Sequence, residues 1–319
     1  MDRRSINPFR ELVFLGWLRR LLIDESIDIV HSFTIKCCLY SSLLARLVPS
    51  LGTINTVSGL GHIFTSNEGR ARAIRVVVQG LLKIALSKAN SRVVLLNSDD
   101  YEMFARFGFS REQTLRLILG AGVNSTNFFP SNRKRENGEF RILLPARILR
   151  DKGVYEFVDA ARILRDKLPG VQFLLAGSPD YGNPSAIPEV EIISWVNDGV
   201  LIWLGHVECM RDLYHTVDLV VLPSYREGLP TSLTEAAMCS LPLIATDVPG
   251  CRDVIDNEIN GILIPVKNSI ALADQIQRLA KDPDLRLRLS AAACLKANLL
   301  FEEGKILDQN ISVYSELSV

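Results

Sequence analysis

The sequence predicts an α/β protein built on parallel sheets, and two observations support this fold class. Short apolar runs rich in Val, Ile and Leu recur along the chain, and longer amphipathic segments separate them. Continuous apolar runs of this kind fit strands that are buried on both faces, as in a parallel sheet. The length of 319 residues, with 48% hydrophobic and 23% charged side chains, is enough for two domains with apolar cores.

The first part of the chain predicts a less regular domain at residues 1–130. Helices are expected at about 8–23, 36–48 and 69–89. A hydrophilic segment at 131–139 then predicts an interdomain linker. Three apolar runs of this domain indicate strands, namely DIVHSF (28–33), GTINTV (52–57) and SRVVLLN (91–97).

The second part, residues 140–305, predicts a doubly wound domain, because strand-like and helix-like segments alternate there. VYEFVDAARILRDKL (154–168) repeats apolar residues at helical spacing, MRDLYHTV and TSLTEAAMCS predict shorter helices, and a last helix is expected at 306–319. The six predicted strands are RILLPA (141–146), VQFLLAG (171–177), VLIWLG (200–205), DLVVLP (218–223), LPLIAT (241–246) and GILIPV (261–266).

Charge and cysteine content narrow the partners and the compartment. Net charge is zero, but residues 1–100 hold 13 basic and 8 acidic side chains. This bias indicates an anionic partner, either a membrane surface or a phosphate-bearing substrate, unless it is random surface variation. The six cysteines form no CxxC pair, and the chain opens without a signal-peptide pattern. We therefore expect a cytoplasmic protein, peripheral at most on the inner face of the cytoplasmic membrane, with no nucleic-acid partner.

Three cations follow the first strand of the second domain, where open parallel sheets bind their ligands. Arg147, Arg150 and Lys152 precede a helix that starts near Gly153. Cations oppose the dipole of a helix N-terminus, which favours an anion, so we expect a phosphate between Arg147, Lys152 and the backbone. Arg150 is expected to point into water and pair with Asp151, which is also the alternative for Lys152.

Two carboxylates flank the turn in SYREGLPTSLTEA (224–236), with seven residues between them. Ser232 and Glu235 match a capping box, so Glu235 has a structural alternative as a helix cap. Glu235 also lies at a strand's carboxyl end, where it is placed to accept hydrogen bonds from ribose or sugar hydroxyls. Glu227, together with the backbone of Gly228 and Leu229, is suited to holding a polyol.

At this point the stretch from about 140 to 282 resembles the nucleotide-binding domain of the GT-B retaining glycosyltransferases of family 4. The resemblance rests on ARILRDKGV, LLAGSPD, the segment from WLGHVECM to GCRDVI that contains the Glu227–Glu235 element, and NGILIPV. GAGVNSTNFFP (120–130) is similar to the segment that leads into the linker of that family. The resemblance implies a GT-B fold, in which two Rossmann-like domains face a cleft.

The resemblance also implies roles for these residues. Arg147 and Lys152 would hold the donor diphosphate and stabilise the leaving nucleotide, and Glu227 would contact the donor sugar, so these three are the predicted catalytic residues. No metal and no cofactor are expected, because such enzymes hold the diphosphate with side chains and helix termini. The predicted donor-binding residues are Gly177, His206, Val207, Gly228, Leu229, Ser232 and Glu235.

The first domain resembles the acceptor domain of the same family through IDIVHSFTIKCCLYSSLLARL and NTVSGLGHIF. The second segment is similar to relatives that build on polyprenyl-diphosphate-linked sugars. The resemblance therefore places His31, Ser58, Gly59 and His62 near the acceptor, while a packed or surface histidine is the alternative for both histidines. The basic helices at 8–23 and 69–89 either contact an anionic leaflet or are ordinary amphipathic helices.

The expected function is retaining transfer of a sugar from a nucleotide-sugar donor to a lipid-linked saccharide in surface polysaccharide biosynthesis. A UDP-sugar is the preferred donor and GDP-mannose the second choice. Relatives begin with strand–helix units, about 60–80 residues, that the resemblance does not find here, so an incomplete first domain is expected. An inactive remnant that only binds nucleotide is therefore the alternative, and a nucleotide-sugar epimerase is a third, less favoured one.

Overall fold

The chain forms two compact units in the computed structural model, which describes residues 8–57, 80, 82–86, 90–131 and 139–317. The first unit runs to Ile118 and resumes at Asp308, and the second spans Leu119–Leu307. The division precedes the linker predicted at 131–139, of which residues 132–138 lie outside the described ranges. Packing explains the difference, because Val123 is already buried in the core of the second unit and its N–H donates to the Phe301 oxygen at 2.7 Å.

The sheet of the first unit has four parallel strands in the order β1-β2-β3-β4. They are β1 (Ile29–Phe33), β2 (Gly52–Val57), β3 (Ser91–Leu95) and β4 (Leu115–Leu117). The first three were predicted, whereas β4 has three residues and is too short to give a pattern. The helices are Pro8–Asp24, Ile35–Leu47 and Ser98–Phe107, and residues 80 and 82–86 of the helix predicted at 69–89 are helical.

The helix Glu303–Ser315 returns the chain to the first unit. Just after this helix, Glu316 accepts hydrogen bonds from Arg92 Nε of β3 at 2.5 Å and from Arg116 Nε of β4 at 2.8 Å. The bonds from Arg116 and Arg92 hold the pKa of the Glu316 carboxyl below its usual value. The terminal segment is thereby tied to the sheet of the first unit, where the sequence had predicted a separate final helix.

The second unit contains a six-stranded parallel sheet in the order β10-β9-β8-β5-β6-β7. All six predicted strands are present, as β5 (Phe140–Pro145), β6 (Val171–Ala176), β7 (Ile202–Gly205), β8 (Leu219–Leu222), β9 (Leu243–Thr246) and β10 (Ile262–Ile264). The helices are Val154–Leu164, Glu189–Asn197, Met210–Tyr214, Thr231–Met238, Cys251–Val254, Ser269–Lys281 and Pro283–Leu300.

The order in which strands are added to this sheet reverses between β5 and β8. These strands are neighbours, with Leu143 opposite Val220, and later strands are added beyond β8 rather than beyond β7. Loops diverge at such a switch point and leave a crevice at the carboxyl ends of the strands. Among the described helices, none has the length and apolar character needed to cross a membrane.

Candidate functional site

A cavity of about 470 Å³ opens at the carboxyl ends of β5, β6 and β7, beside the switch point. Volumes of this order are typical of small-molecule sites. A second cavity of about 680 Å³ lies at the opposite edge of the sheet, where Phe140 and Asp218 precede or begin strands, and it holds none of the predicted site residues. Six predicted residues line the first cavity, namely Arg147, Gly177, His206, Val207, Ser232 and Glu235.

Arg147 follows β5 and meets a carboxylate that follows β6. Its Nη1 donates to Asp180 Oδ2 at 2.9 Å, and both side chains line the cavity. The pair is open to solvent, with 55% of the Arg147 side chain and 37% of the Asp180 side chain exposed. An exposed pair of this kind contributes little to stability, so the guanidinium can exchange its partner for another anion at small cost.

Gly177 lines the cavity just after β6, at a point where the backbone after β5 leaves no room for a side chain. Its φ of +148° is rarely adopted by residues with a side chain, and an added Cβ would lie 1.9 Å from the Ala146 oxygen. The backbone at Gly177 is also fixed by Trp203, whose Nε1 donates to the Gly177 oxygen at 2.9 Å. A ligand can therefore approach the chain closely here.

Glu235 enters the same cavity from the helix Thr231–Met238. The Tyr214 hydroxyl donates to Glu235 Oε2 at 3.1 Å and lies equally close to the Ser232 oxygen. The capping box considered from the sequence is not formed, since Pro230 occupies the N-cap and the helix has no side-chain cap there. Glu235 is thus a cavity residue rather than a helix cap.

The surroundings of Glu235 make its ionised form costly. Burial raises the pKa of the Glu235 carboxyl above its usual value, and the hydrogen bond from Tyr214 offsets part of that rise. Burial, with the neighbouring Glu235, raises the pKa of the Tyr214 phenol well above its usual range, so it stays a neutral donor. A hydroxyl-rich ligand would add hydrogen-bond donors to this half-buried carboxylate beyond the one from Tyr214.

Lys152 and Glu227 form a second cation–carboxylate pair, across the switch point. Lys152 Nζ lies 2.5 Å from Glu227 Oε1 and 2.7 Å from Oε2, so both oxygens accept from one ammonium. Only 20% of the Lys152 side chain and 10% of the Glu227 side chain are exposed. Removing one partner of so enclosed a pair leaves the other charge desolvated and uncompensated. The pairing with Asp151 that we considered for Lys152 is replaced by this contact.

The remaining donor-binding candidates lie in the loops that follow β7 and β8. Gly228 and Leu229 follow Glu227 directly, and Leu229 packs against the core of the second unit. His206 and Val207 follow β7, with His206 exposed at the cavity and Val207 packed on the core. Their donor-binding roles stay predictions.

The acceptor-side candidates fall in the first unit. His31 Nδ1 lies 2.7 Å from the Tyr314 hydroxyl and Nε2 lies 2.7 Å from Thr56 Oγ1, while the Phe33 ring stacks on the imidazole at 4.3 Å. Burial lowers the pKa of His31 and favours the neutral ring. These contacts correspond to the packed alternative for His31, whose acceptor role stays a prediction. Ser58, Gly59 and His62 lie outside the described residues.

Sequence reasoning missed two cavity residues, Asp180 and Tyr214. Asp180 follows the predicted strand VQFLLAG, so its position at a strand's carboxyl end was a usable signal. Tyr214 ends a helix, and only the folded chain reveals its contact with Glu235. Within the described ranges, no group of three or more His, Cys, Asp or Glu side chains is arranged to hold a metal ion.

A family model and several characterised enzymes are similar to this chain. The family model described as glycosyl transferases group 1 matches residues 125–295. The N,N'-diacetylbacillosaminyl-diphospho-undecaprenol alpha-1,3-N-acetylgalactosaminyltransferase of Campylobacter jejuni is 29% identical to the chain over 99% of its length and 84% of that enzyme. The UDP-Gal:alpha-D-GlcNAc-diphosphoundecaprenol alpha-1,3-galactosyltransferase of Escherichia coli is 23% identical, over 89% of the chain and 74% of that enzyme.

Solved structures share the fold at low sequence identity. Anabaena HepE in complex with UDP has a TM-score of 0.79 and 18% identity, over 95% of this chain and 82% of that one. Sucrose-phosphate synthase from Thermosynechococcus elongatus has a TM-score of 0.77 and 24% identity, over 95% and 77%. These likenesses confirm the predicted α/β fold class with two parallel sheets.

Proposed function

The chain belongs to the group 1 glycosyltransferases, and on that basis we propose that it transfers a sugar from a nucleotide-sugar donor to a lipid-linked saccharide. The observation that carries this proposal is the cavity at the switch point, which brings Arg147 and Glu235 together next to the Lys152–Glu227 pair. A nucleotide sugar has matching parts: ribose hydroxyls, a diphosphate and a sugar.

The proposed roles follow from the chemistry of each contact. Glu235 accepts hydrogen bonds from the ribose hydroxyls, which replace solvent around a carboxylate that burial disfavours. Arg147 leaves Asp180 and binds the diphosphate, and Lys152 adds a second positive charge as negative charge develops on the leaving nucleotide. Glu227 and the adjacent backbone of Gly228 and Leu229 hold the hydroxyls of the donor sugar.

The reaction is proposed to retain the anomeric configuration, with attack on the face from which the nucleotide leaves and without a covalent sugar–protein bond. Both oxygens of Glu227 accept from Lys152 Nζ, which suits a positioning carboxylate better than a nucleophile. Analysis of the product by NMR tests this point, since an inverted anomeric centre would contradict it.

The names of the relatives support the substrate classes. Two of them act on undecaprenyl-diphosphate-linked sugars, one uses UDP-Gal, and a CapM relative from Staphylococcus aureus carries a capsular polysaccharide name. We therefore propose a UDP-sugar donor and a polyprenyl-diphosphate-linked saccharide acceptor in surface polysaccharide biosynthesis.

The helix Pro8–Asp24 supports contact with the membrane that carries such an acceptor. Phe9, Leu12, Val13 and Trp17 are 78%, 65%, 74% and 56% exposed, at positions that share one helix face. Arg10, Arg19 and Arg20 accompany them on this helix. An apolar helix face with flanking arginines is suited to an anionic leaflet. Sedimentation with anionic rather than neutral vesicles, reduced in Trp17→Ser, is the expected result.

Calorimetric titration of the purified chain tests the proposal first. UDP is expected to bind saturably, more tightly than GDP or ADP, and Arg147→Ala is expected to weaken that binding. Arg278→Ala is the matched control, because Arg278 forms an exposed pair with Glu258 outside the cavity.

Transfer is then measured with UDP-sugars and undecaprenyl-diphosphate-linked sugar acceptors. Nucleotide binding without transfer to any acceptor would indicate the inactive remnant. A folded chain that binds no nucleotide would contradict the proposed function altogether.

A further inference from the structure

The two loops that carry Lys152 and Glu227 touch through their backbones as well as through their charges. They follow β5 and β8, which are adjacent strands. Gly153, directly after Lys152, has φ +72°, and an added Cβ would lie 2.1 Å from the Pro223 oxygen. The turn at Arg150–Lys152 therefore lies against the start of the loop that leads to Glu227, with no room for a side chain between them.

Tyr225 makes a second connection between the same loops, two residues before Glu227. Its N–H donates to the Asp151 oxygen at 2.9 Å, and its hydroxyl donates to Glu156 Oε1 at 2.7 Å. Asp151 is itself held by the Ser185 hydroxyl, which donates to Asp151 Oδ2 at 2.8 Å. Tyr225 thus bonds to residues on both sides of Lys152.

The hydroxyl of Tyr225 is a hydrogen-bond donor to a carboxylate with a second, buried oxygen, that of Glu156. The second oxygen of that carboxylate, Oε2, is buried without a hydrogen-bond partner among the described residues. Because a buried carboxylate oxygen without a donor is costly, losing the bond from Tyr225 to the other oxygen would add to that cost. Lys267 Nζ lies 4.9 Å from the centre of the Tyr225 ring and covers it with a positive charge.

We propose that Tyr225 and Glu156 are positioning residues, which hold the Glu227 loop against the Lys152 turn so that sugar transfer proceeds at full rate. The inference rests on the proposed function of the site. Neither residue lines the cavity that holds Arg147 and Glu235, so the connection acts on transfer and leaves nucleotide capture unchanged.

The test compares kcat with nucleotide affinity in two variants. Tyr225→Phe removes the hydroxyl and keeps the ring, and a loss in kcat of about tenfold is expected because small displacements of positioned groups are costly. The dissociation constant for UDP is expected to stay within about twofold, since the hydroxyl lies outside the nucleotide cavity. Glu156→Ala is expected to reproduce this loss, whereas Glu156→Gln keeps an accepting oxygen and should restore most of the activity.

Tyr155→Phe is the matched control. Tyr155 also donates its hydroxyl to a glutamate, Glu191 Oε2 at 3.0 Å, but this bond joins two helices and does not involve the Glu227 loop. Tyr155→Phe keeps the ring over which Arg150 lies at 5.4 Å. Its kcat is expected to match that of the unmodified chain. Amide hydrogen exchange at 225–229 should be faster in Tyr225→Phe than in the control.

The outcomes separate this inference from the proposed function. An active chain in which Tyr225→Phe keeps its full kcat, or loses nucleotide affinity as much as kcat, overturns the positioning role alone. A folded chain without transfer activity toward any donor and acceptor overturns the proposed function and the positioning role with it.

Discussion

Glu227 lies in the loop between β8 and the next helix and Glu235 lies within that helix, and the two carboxylates have different partners. Both oxygens of Glu227 accept from Lys152 Nζ, at 2.5 and 2.7 Å, whereas Glu235 Oε2 accepts from the neutral hydroxyl of Tyr214 at 3.1 Å. Burial raises the pKa of Glu235. Glu227 is paired with a cation of the protein, whereas the Glu235 carboxylate accepts from a neutral hydroxyl.

The difference shows how a short loop can serve two parts of one ligand. A carboxylate whose two oxygens both accept from one ammonium is fixed in position, which suits it to orienting a reacting sugar. A carboxylate with few donors gains most from a ligand that brings hydroxyl groups. The following predictions examine this contrast.

The largest effect is expected for Glu227→Ala. It leaves Lys152 without its carboxylate and removes the proposed contact to the donor sugar, so kcat should fall by about 100-fold or more. UDP affinity is not expected to fall, because Glu227 does not line the cavity that holds Arg147 and Glu235 and its removal leaves the Lys152 charge without its carboxylate. Steady-state transfer rates and calorimetry with UDP measure the two quantities. A variant that loses UDP binding and keeps its rate would reverse the assignment.

Glu235→Ala is expected to show the opposite pattern. Loss of hydrogen bonds between a carboxylate and ribose hydroxyls should weaken UDP binding by about tenfold or more, from ~1.5–3 kcal/mol. The rate at saturating donor should change little. Tyr214→Phe serves as the control, since it keeps the carboxylate and removes its hydroxyl partner. Equal UDP affinity for the unmodified chain and Glu235→Ala would contradict the proposed contact between Glu235 and the ribose.

The raised pKa of Glu235 predicts a pH dependence of binding and stability. Nucleotide-sugar affinity should fall as pH is lowered through the raised pKa, at higher pH than an ordinary glutamate requires, and Glu235→Gln should lack this dependence. A folded pKa above the unfolded one means that ionisation at neutral pH costs stability and that the cost vanishes at low pH. Glu235→Gln should therefore be more stable than the unmodified chain at pH 7, and the difference should shrink as the pH is lowered. Calorimetric binding and thermal unfolding across pH 4–8 would reveal a flat difference if this is wrong.

Asp180→Asn is expected to have the smallest effect. It frees Arg147 and removes a negative charge from the cavity, so UDP should bind more tightly. The gain should be only about two- to fivefold, because exposed ion pairs such as Arg147–Asp180 are weak. Glu258→Gln, which breaks a comparable exposed pair with Arg278, should leave the affinity unchanged. Weaker binding by Asp180→Asn would instead mean that Asp180 orients Arg147.

The strands of the second unit and the positions after them could be predicted, because buried parallel strands give continuous apolar runs and ligands bind at their carboxyl ends. That reasoning reached Arg147, whereas Gly177 and His206 were predicted from the family resemblance. It could not reach the contact between Tyr214 and Glu235, because side chains from separate helices meet only once their packing angles are set. The strand β4 was missed for another reason: three residues carry no periodicity.

The return of the chain to the first unit has a consequence for biosynthesis. The ribosome delivers β3 and β4 early, but Tyr314 and Glu316, which contact His31, Arg92 and Arg116, emerge only after the whole second unit. Domains generally fold in the order in which they are made. In this chain, the last residues of the first unit are synthesised after the whole second unit. The second unit can therefore fold in the nascent chain before the helix that completes the first unit has been made.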